Sequence, residues 1–396
     1  MADEEPLLQQ DEDSAPAPPP PTPSWRIGAA FWILGLCNNL PYVVMLSAAR
    51  DLLEPRPGEE PRNRSRHDCD PVGTGAVLLA DVVPALVVKL LLPLLGPYLP
   101  DRCRAVAVAL CLWGSLSAVA AARGTLSGLG GVALGSAGAG LGEVTFLTLA
   151  SSYPSSGLSH WSSGTGGAGL GGALAFWGLR AWLPLPHSLL PFLALPPLML
   201  LSFFFLLGPA PPPPPEPPLP PPDQGGGAWA EKWGVAKAAL RQGAPLSVVY
   251  FAEYFVNMGL MELLYFPSSP LPHSAQYRTL QLLYQAGVFA SRSSLRWVRL
   301  RRLWGLALAQ ALLAAFLLAA VATNQLLPGL GVAAALMVGE GLVGGGAYGN
   351  GFANLAGELP LPQQPLAVAV VTLMAEVAIA AAGGVALAAH AVFCGH

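Results

Sequence analysis

Glu143, Glu253 and Glu340 each lie between apolar or glycine residues, in stretches long enough to cross a bilayer. A charge at the bilayer centre costs about 2.5–3.5 kcal/mol on insertion scales, so such a side chain faces a polar cavity or a partner. An enclosed carboxyl group of this kind can carry a proton or pair with a cation. Other polar residues sit at similar depth. Asn38 and Asn39 are adjacent in the first apolar stretch, and Asp81 and Lys89 share the second. Eight helical residues separate the latter two by about 12 Å, too far for a pair within one helix. Glu253 and Asn257 share a helix face at i,i+4. Glu262 falls on roughly the opposite face, near the end of its stretch, and Glu376 lies in the last one.

Each position also has a structural reading. Glu262 and Lys89 would serve equally by snorkelling to an interface or capping a helix, and the asparagines as interhelical glue. Hydrolytic chemistry has little support. Ser162, Ser163 and Thr165 lie in a glycine-rich run without a Walker lysine, no G-x-S-x-G elbow occurs, and His160 has no evident acid to orient it. No Cys/His spacing marks a metal site. The chain reads as a non-enzyme without a cofactor.

The elements that must position these residues are membrane helices. Hydrophobic residues make up 53% of the 396 and charged residues 11%, against about 25% charged in ordinary soluble domains. Eleven spans are expected, at 27–49, 75–95, 105–122, 126–150, 164–182, 189–207, 244–266, 280–290, 303–321, 326–349 and 366–389. Most match the ~20 residues that about 30 Å of hydrocarbon requires. The eighth is short. It is counted because Arg292, Arg296, Arg299, Arg301 and Arg302 follow it, and arginines collect in cytoplasmic loops. The expectation is an all-α polytopic membrane protein in two bundles. Residues 1–26 form an acidic, Pro-rich cytoplasmic tail, 27–207 a six-helix bundle, 208–243 a Pro/Gly-rich cytoplasmic connector, and 244–396 a bundle of about five spans. The fourth and tenth spans share a Gly-Leu-Gly start (128–130 and 329–331) and a late glutamate, a hint of internal repetition.

This parity puts the N-terminus in the cytoplasm and the first loop in the lumen. That loop holds Asn63-Arg64-Ser65, an N-glycosylation sequon. Cys69 shares the compartment, as does Cys394 if the count of eleven holds. A bridge between them is compatible with the count but has no other support. Cys394 stands one residue short of a C-a-a-X box, so prenylation is not expected. Asp3, Leu7 and Leu8 fit an acidic dileucine sorting signal that clathrin adaptors would read. With a net charge of −3 and no basic stripe interleaved with aromatics, nucleic acid is not an expected partner.

Several blocks are specific. They include Trp32-Ile33-Leu34-Gly35-Leu36-Cys37-Asn38-Asn39, Gly140-Leu141-Gly142-Glu143-Val144-Thr145 and Val249-Tyr250-Phe251-Ala252-Glu253-Tyr254-Phe255. Another is Tyr284-Gln285-Ala286-Gly287-Val288-Phe289-Ala290-Ser291-Arg292. Across nearly all of the membrane region the chain resembles the battenin family. That resemblance implies a multi-pass protein of lysosomal and late-endosomal membranes with a major-facilitator-like fold, tied to neuronal ceroid lipofuscinosis and to clearance of glycerophosphodiesters.

In that arrangement the first, fourth, seventh and tenth spans line a central cavity. The substrate-binding candidates are then Asn38, Asn39, Asp81, Lys89, Glu143, Glu253, Asn257, Tyr284, Gln285, Arg292 and Glu340. Lys89 and Arg292 would contact an anion, and the glutamates would carry protons or partner the cations. Ser162, Ser163 and Thr165, at a helix N-terminus, would add exit-side donors. The expected function is export of an anionic, polar lipid-breakdown product, a glycerophosphodiester, by alternating access. An acidic cavity would equally suit a cationic substrate such as a basic amino acid. A non-transporting scaffold for trafficking and pH homeostasis is the remaining alternative.

Overall fold

The computed structural model describes residues 24–54, 67–95, 99–151, 153, 156–207, 227–323, 326–360 and 363–395. The expected signals at Asp3, Leu7, Leu8 and Asn63 lie outside the described residues. Helices account for nearly everything described. They are α1 (Ser24–Ser47), the short α2 (Ala49–Leu53), α3 (Gly75–Leu95), α4 (Asp101–Ala120), α5 (Thr125–Ser151) and α6 (Ser156–Trp182). Next come α7 (Leu185–Leu189) and α8 (Leu195–Leu201), joined by a 3-10 segment into one apolar rod. The second half holds α9 (Gly227–Phe255), α10 (His273–Ser293), α11 (Trp304–Thr323), α12 (Leu330–Glu358) and α13 (Gln364–Cys394).

Eight helical segments among the described residues are long and apolar enough to cross a membrane. Three more, α6, α9 and α10, have 27, 29 and 21 residues but are more polar. The reason is visible in their sequences. α6 is rich in Ser and Gly, α9 opens with Glu231, Lys232, Lys237 and Arg241, and α10 carries Gln, Tyr and Arg along its length. The eighth expected stretch therefore understates its helix. Its apolar run covers 280–290, whereas α10 begins at His273, and its polar first turns are buried rather than exposed.

The helices pair in an ordered way. Within the first half α1 packs on α6, α3 on α5 and α4 on α5; within the second, α10 packs on α12 and α9 on α13. Contacts between the halves run through α3·α13 and α6·α10. Two seams are built on reciprocal glycines. A Cβ at Gly35 would stand 2.6 Å from the Trp161 carbonyl oxygen, and one at Gly164 would strike the Trp32 carbonyl. In the other half, a Cβ at Gly287 would meet the Val338 carbonyl and one at Gly341 the Tyr284 carbonyl. Small residues let membrane helices approach to backbone contact, where dispersion rather than hydrophobicity holds them.

α9 does not end as a regular helix. It passes into a π turn at Val256–Leu260 and a 3-10 turn at Met261–Leu263. Irregular backbone at membrane depth survives only where other groups satisfy it. Here Tyr277 Oη and Gln281 Nε2 donate to the Asn257 carbonyl (3.4 Å each), Thr74 Oγ1 to Met258 (2.9 Å) and Arg50 Nη1 to Glu262 (3.1 Å). Residues from both halves thus hold the end of α9 in its irregular form.

Candidate functional site

Polar side chains collect at three levels along the bundle. The middle level lies mainly in the second half. Glu253, buried on α9, accepts a hydrogen bond from the Tyr284 hydroxyl of α10. One turn on, Asn257 donates to the Glu253 carbonyl (3.0 Å) and to Glu340 Oε1 of α12 (3.3 Å). Gln310 of α11 also donates to Glu340 Oε1 (3.4 Å), and Glu340 is fully buried. Glu253 Oε2 and Glu340 Oε2 have no hydrogen-bond partner among the described residues. Gly344 lies directly against the Glu253 carboxylate, leaving no room for a Cβ. Arg292 closes this level, its guanidinium 4.1 Å from the centroid of the Tyr348 ring and its Nε without a partner. Cation–π contact offsets part of the cost of burying that charge.

This level reaches the first half through hydroxyls. Tyr42 of α1 donates to Tyr254 of α9 at 3.0 Å. Gln285 lies against Gly169 of α6. Asp81 is buried with Oδ2 unpartnered, while its carbonyl accepts from Ser136 Oγ at 2.8 Å. The asparagines of α1 divide. Asn38 donates to the Ala139 carbonyl of α5 (3.1 Å), joining two helices, and Asn39 donates to Gly35 on its own helix (3.1 Å).

The second level is an ion triad. Lys89 of α3 donates to Glu143 of α5 at 2.7 Å and also pairs with Glu376 of α13. Side-chain exposures of 15%, 30% and 14% leave the triad partly open to solvent. It joins the two halves. Lys89 is therefore neutralised twice over, rather than presented as a bare cation.

The third level lies at the opposite end, and the sequence reading missed most of it. Arg50, 1% exposed, faces Asp70 at 3.5 Å and Asp68 at 3.5 Å, besides its bond to the end of α9. Asp51 accepts from Arg278 of α10 and from Arg180 of α6 (3.0 Å). Burial pushes the Asp51 carboxyl up, against the pull of Arg278 and Arg180. Glu262 accepts from the Thr74 amide (2.6 Å) and contacts His390 Nδ1 (3.1 Å), whose Nε2 meets the Asp70 carbonyl (3.1 Å). His273 Nδ1 contacts Asp68 (3.1 Å). A Cys69–Cys394 disulfide closes the corner, settling in the affirmative a pairing that the sequence alone left open. Glu262, for which interfacial exposure was one expectation, is buried within this cluster. The signal in the sequence was slight: Arg50-Asp51 directly follows a span, where a charge pair reads as an ordinary interface.

One expected subsite is corrected. A span opening at 164 puts Ser162, Ser163 and Thr165 at a helix N-terminus. α6 begins at Ser156, so their amides lie inside the helix. Ser162 and Ser163 are exposed, and Thr165 Oγ1 bonds back to the Ser162 carbonyl at 2.8 Å.

The model of the CLN3 protein family matches residues 29–214 and 226–396. The chain belongs to the CLN3 family. Battenin of Canis lupus familiaris is 43% identical over 93% of this chain and 92% of its own length. Protein BTN1 of Yarrowia lipolytica is 35% identical over 92% and 94%. Among solved structures, the chain is similar to a bacterial homologue of the human lysosomal transporter Spinster, in an inward-facing and unoccupied conformation. The TM-score is 0.59 at 14% identity, covering 90% of this chain and 81% of that one. A D-xylose–proton symporter gives 0.60 at 11%, covering 91% and 88%. These likenesses establish a major-facilitator-like fold for this CLN3 family member.

Proposed function

We propose that the protein is a secondary transporter of the lysosomal membrane that exports a small anionic lipid-breakdown product, a glycerophosphodiester, by alternating access. One observation carries this reading. A polar core containing Arg292, Glu253 and Glu340 lies between two ion clusters, and each cluster bonds one half of the bundle to the other. Such clusters serve as gates when each can open while the other stays formed; both are formed here. The disulfide end is taken as luminal, because disulfides persist in oxidising compartments. Arg296, Arg299, Arg301 and Arg302, which follow α10, mark the other end as cytoplasmic, and the eleven long helical rods among the described residues then cross the membrane. The luminal cluster is the more buried of the two, so this arrangement is closed towards the lumen.

In the core, Arg292 supplies the positive charge for a phosphodiester, with Tyr250, Tyr254 and Gln285 as neighbouring donors. Lys89 becomes available to an anion only when the triad opens. Glu340, set among amides instead of cations, is the group suited to carry a coupling proton. Carboxylates outnumber the unpaired cation here, and that balance favours a second reading in which the cargo is cationic, such as a basic amino acid.

The test is uptake into liposomes of purified protein. Labelled glycerophosphodiester and labelled arginine would be compared, with and without a pH gradient, in wild type and Arg292→Gln. Saturable phosphodiester uptake that Arg292→Gln abolishes supports the first reading. Arginine uptake that survives Arg292→Gln but fails in Glu253→Gln moves the assignment to the second. Failure of both substrates in folded, oriented protein leaves the scaffold reading.

A further inference from the structure

α9 is longer than the membrane needs. Its 29 residues extend about 44 Å at 1.5 Å per residue, against about 30 Å of hydrocarbon. Counting back from the turns that end at Leu263, about 20 residues fill the hydrocarbon and reach position 244. The first part of α9, from 227 to 243, therefore stands in the headgroup layer and beyond it.

That segment borders a cleft of about 560 Å³, whose walls include Gly234, Lys237 and Arg241 of α9, Glu358 at the end of α12, and Pro360 and Gln363 before α13. Lys237 and Arg241 are exposed and sit at i,i+4, on one face of the helix. Trp233 precedes Lys237 by four residues and is 65% exposed; Leu240 is 47% exposed. A tryptophan at this depth is a membrane-interface residue. Gly234 has open space where a Cβ would stand. Across the cleft, Glu358 Oε1 is held by Gln242 Nε2 at 2.6 Å, so the acid is fixed in place rather than swung towards the two cations.

The site thus carries two cations and one fixed acid at headgroup level, beside exposed apolar surface that lipid must cover. We propose that it binds the headgroup of an anionic phospholipid of the phosphatidylserine type, drawn from the adjoining leaflet. Lys237 and Arg241 take the phosphate and the carboxylate, Glu358 takes the ammonium, and Trp233 and Leu240 lie along the glycerol and upper acyl chains. The charges match in number and sign. This binding does not depend on what the protein transports.

The test uses the full-length protein in nanodiscs of phosphatidylcholine alone, or with 20 mol% (roughly an anionic leaflet) phosphatidylserine or phosphatidylglycerol. Thermal unfolding is followed, and a photoactivatable phosphatidylserine is cross-linked and mapped by peptide mass spectrometry. Wild type is expected to gain stability with phosphatidylserine, less with phosphatidylglycerol and not with soluble phosphoserine, and to cross-link within 234–241 or 358–363. The double variant Lys237→Gln/Arg241→Gln should match wild type in phosphatidylcholine but lose most of the gain and the cross-link. Arg123→Gln, at an exposed position on the other end, should keep both. Equal gains for the double variant and wild type, equal gains for the two anionic lipids, or cross-links mapping elsewhere would each overturn the proposal. So would an equal effect of soluble phosphoserine.

Discussion

The Asp51 junction gives the sharpest test of the gating argument. Asp51 on α2 holds Arg180 of its own half and Arg278 of the other. At 3.0 Å and an effective dielectric of about 20, one such pair has a Coulomb energy of about 5 kcal/mol. Desolvation cancels part of this, and breaking one partner of a buried pair costs about 3–5 kcal/mol because a charge is left uncompensated. Arg180 is 20% exposed and can turn to water, so the low end, about 3 kcal/mol, is expected for Asp51→Ala. If the junction exists only while the disulfide end is closed, that energy leaves the closed state alone. At 1.4 kcal/mol per decade it shifts closed against open by about 100-fold. The assay is pulsed EPR between spin labels at Arg123 and Leu326, exposed positions at the disulfide end of each half, after replacement of the free cysteines Cys37, Cys103 and Cys111. Asp51→Ala should populate a longer distance, Arg278→Ala should do the same, and the double variant should be less open than the sum of the singles. An unchanged distance distribution with a lowered unfolding temperature would refute the gate, leaving a purely structural ion pair.

Three further outcomes are expected. Lys89→Met leaves Glu143 and Glu376 facing each other without a cation and should destabilise the folded protein by about 3 kcal/mol; adding Glu376→Gln should recover part of this in thermal unfolding. Gly341→Val drives a branched side chain into the Tyr284 carbonyl and should lower stability by at least about 2 kcal/mol, whereas Gly339→Ala, with open space at its Cβ, should change the unfolding temperature little. Replacing Cys69 and Cys394 together by serine removes a link across 325 residues of sequence and should cost about 2–4 kcal/mol. That loss should equal the effect of reductant on the wild type.

Much of the fold was legible because apolar length is the dominant signal of a membrane helix, and α1, α3, α4, α5 and α11 to α13 carry it plainly. Legibility failed where function makes a helix polar. α10 shows only a short apolar run because Gln276, Tyr277 and Arg278 precede it and Gln281 lies within it, yet these are buried contacts to the end of α9, α2 and the loop ahead of α10. Glu143, Glu253 and Glu340 stood out by the cost of burying a charge; the structure links Glu253 and Glu340 through Asn257 and puts Glu143 apart, in the partly exposed Lys89 triad. The Arg50, Asp51 and His390 cluster was not found. Its members are far apart in sequence and each, taken alone, has the ordinary position of a charge at the end of a span. Only the pairing of α1, α3, α6, α10 and α13 ends makes them neighbours.

The same packing limits what can move. Backbone contact at Gly35 and Gly164, and again at Gly287 and Gly341, leaves no slack for α1 to slide on α6 or α10 on α12. A close-packed seam of this kind moves as a unit, because partial separation forfeits its dispersion energy at once. The α3·α13 and α6·α10 contacts between halves are different: they are fastened by polar groups that can exchange partners, at Lys89–Glu376, Arg278–Asp51 and the Trp177–Thr279 bond of 3.1 Å. In the alternating-access reading, rocking occurs along these surfaces. Opening at the disulfide end must also release Arg50 and Thr74 from the irregular end of α9, freeing the carbonyls of Glu262 and Met258. The Met258 carbonyl needs a new partner, which the Glu262 amide would supply if 256–263 rewound into regular helix; the Glu262 carbonyl, in the last turn, would be left to water. In this reading movement of the end of α9 and opening of the gate are coupled, since the Met258 carbonyl regains a partner only if the turn rewinds.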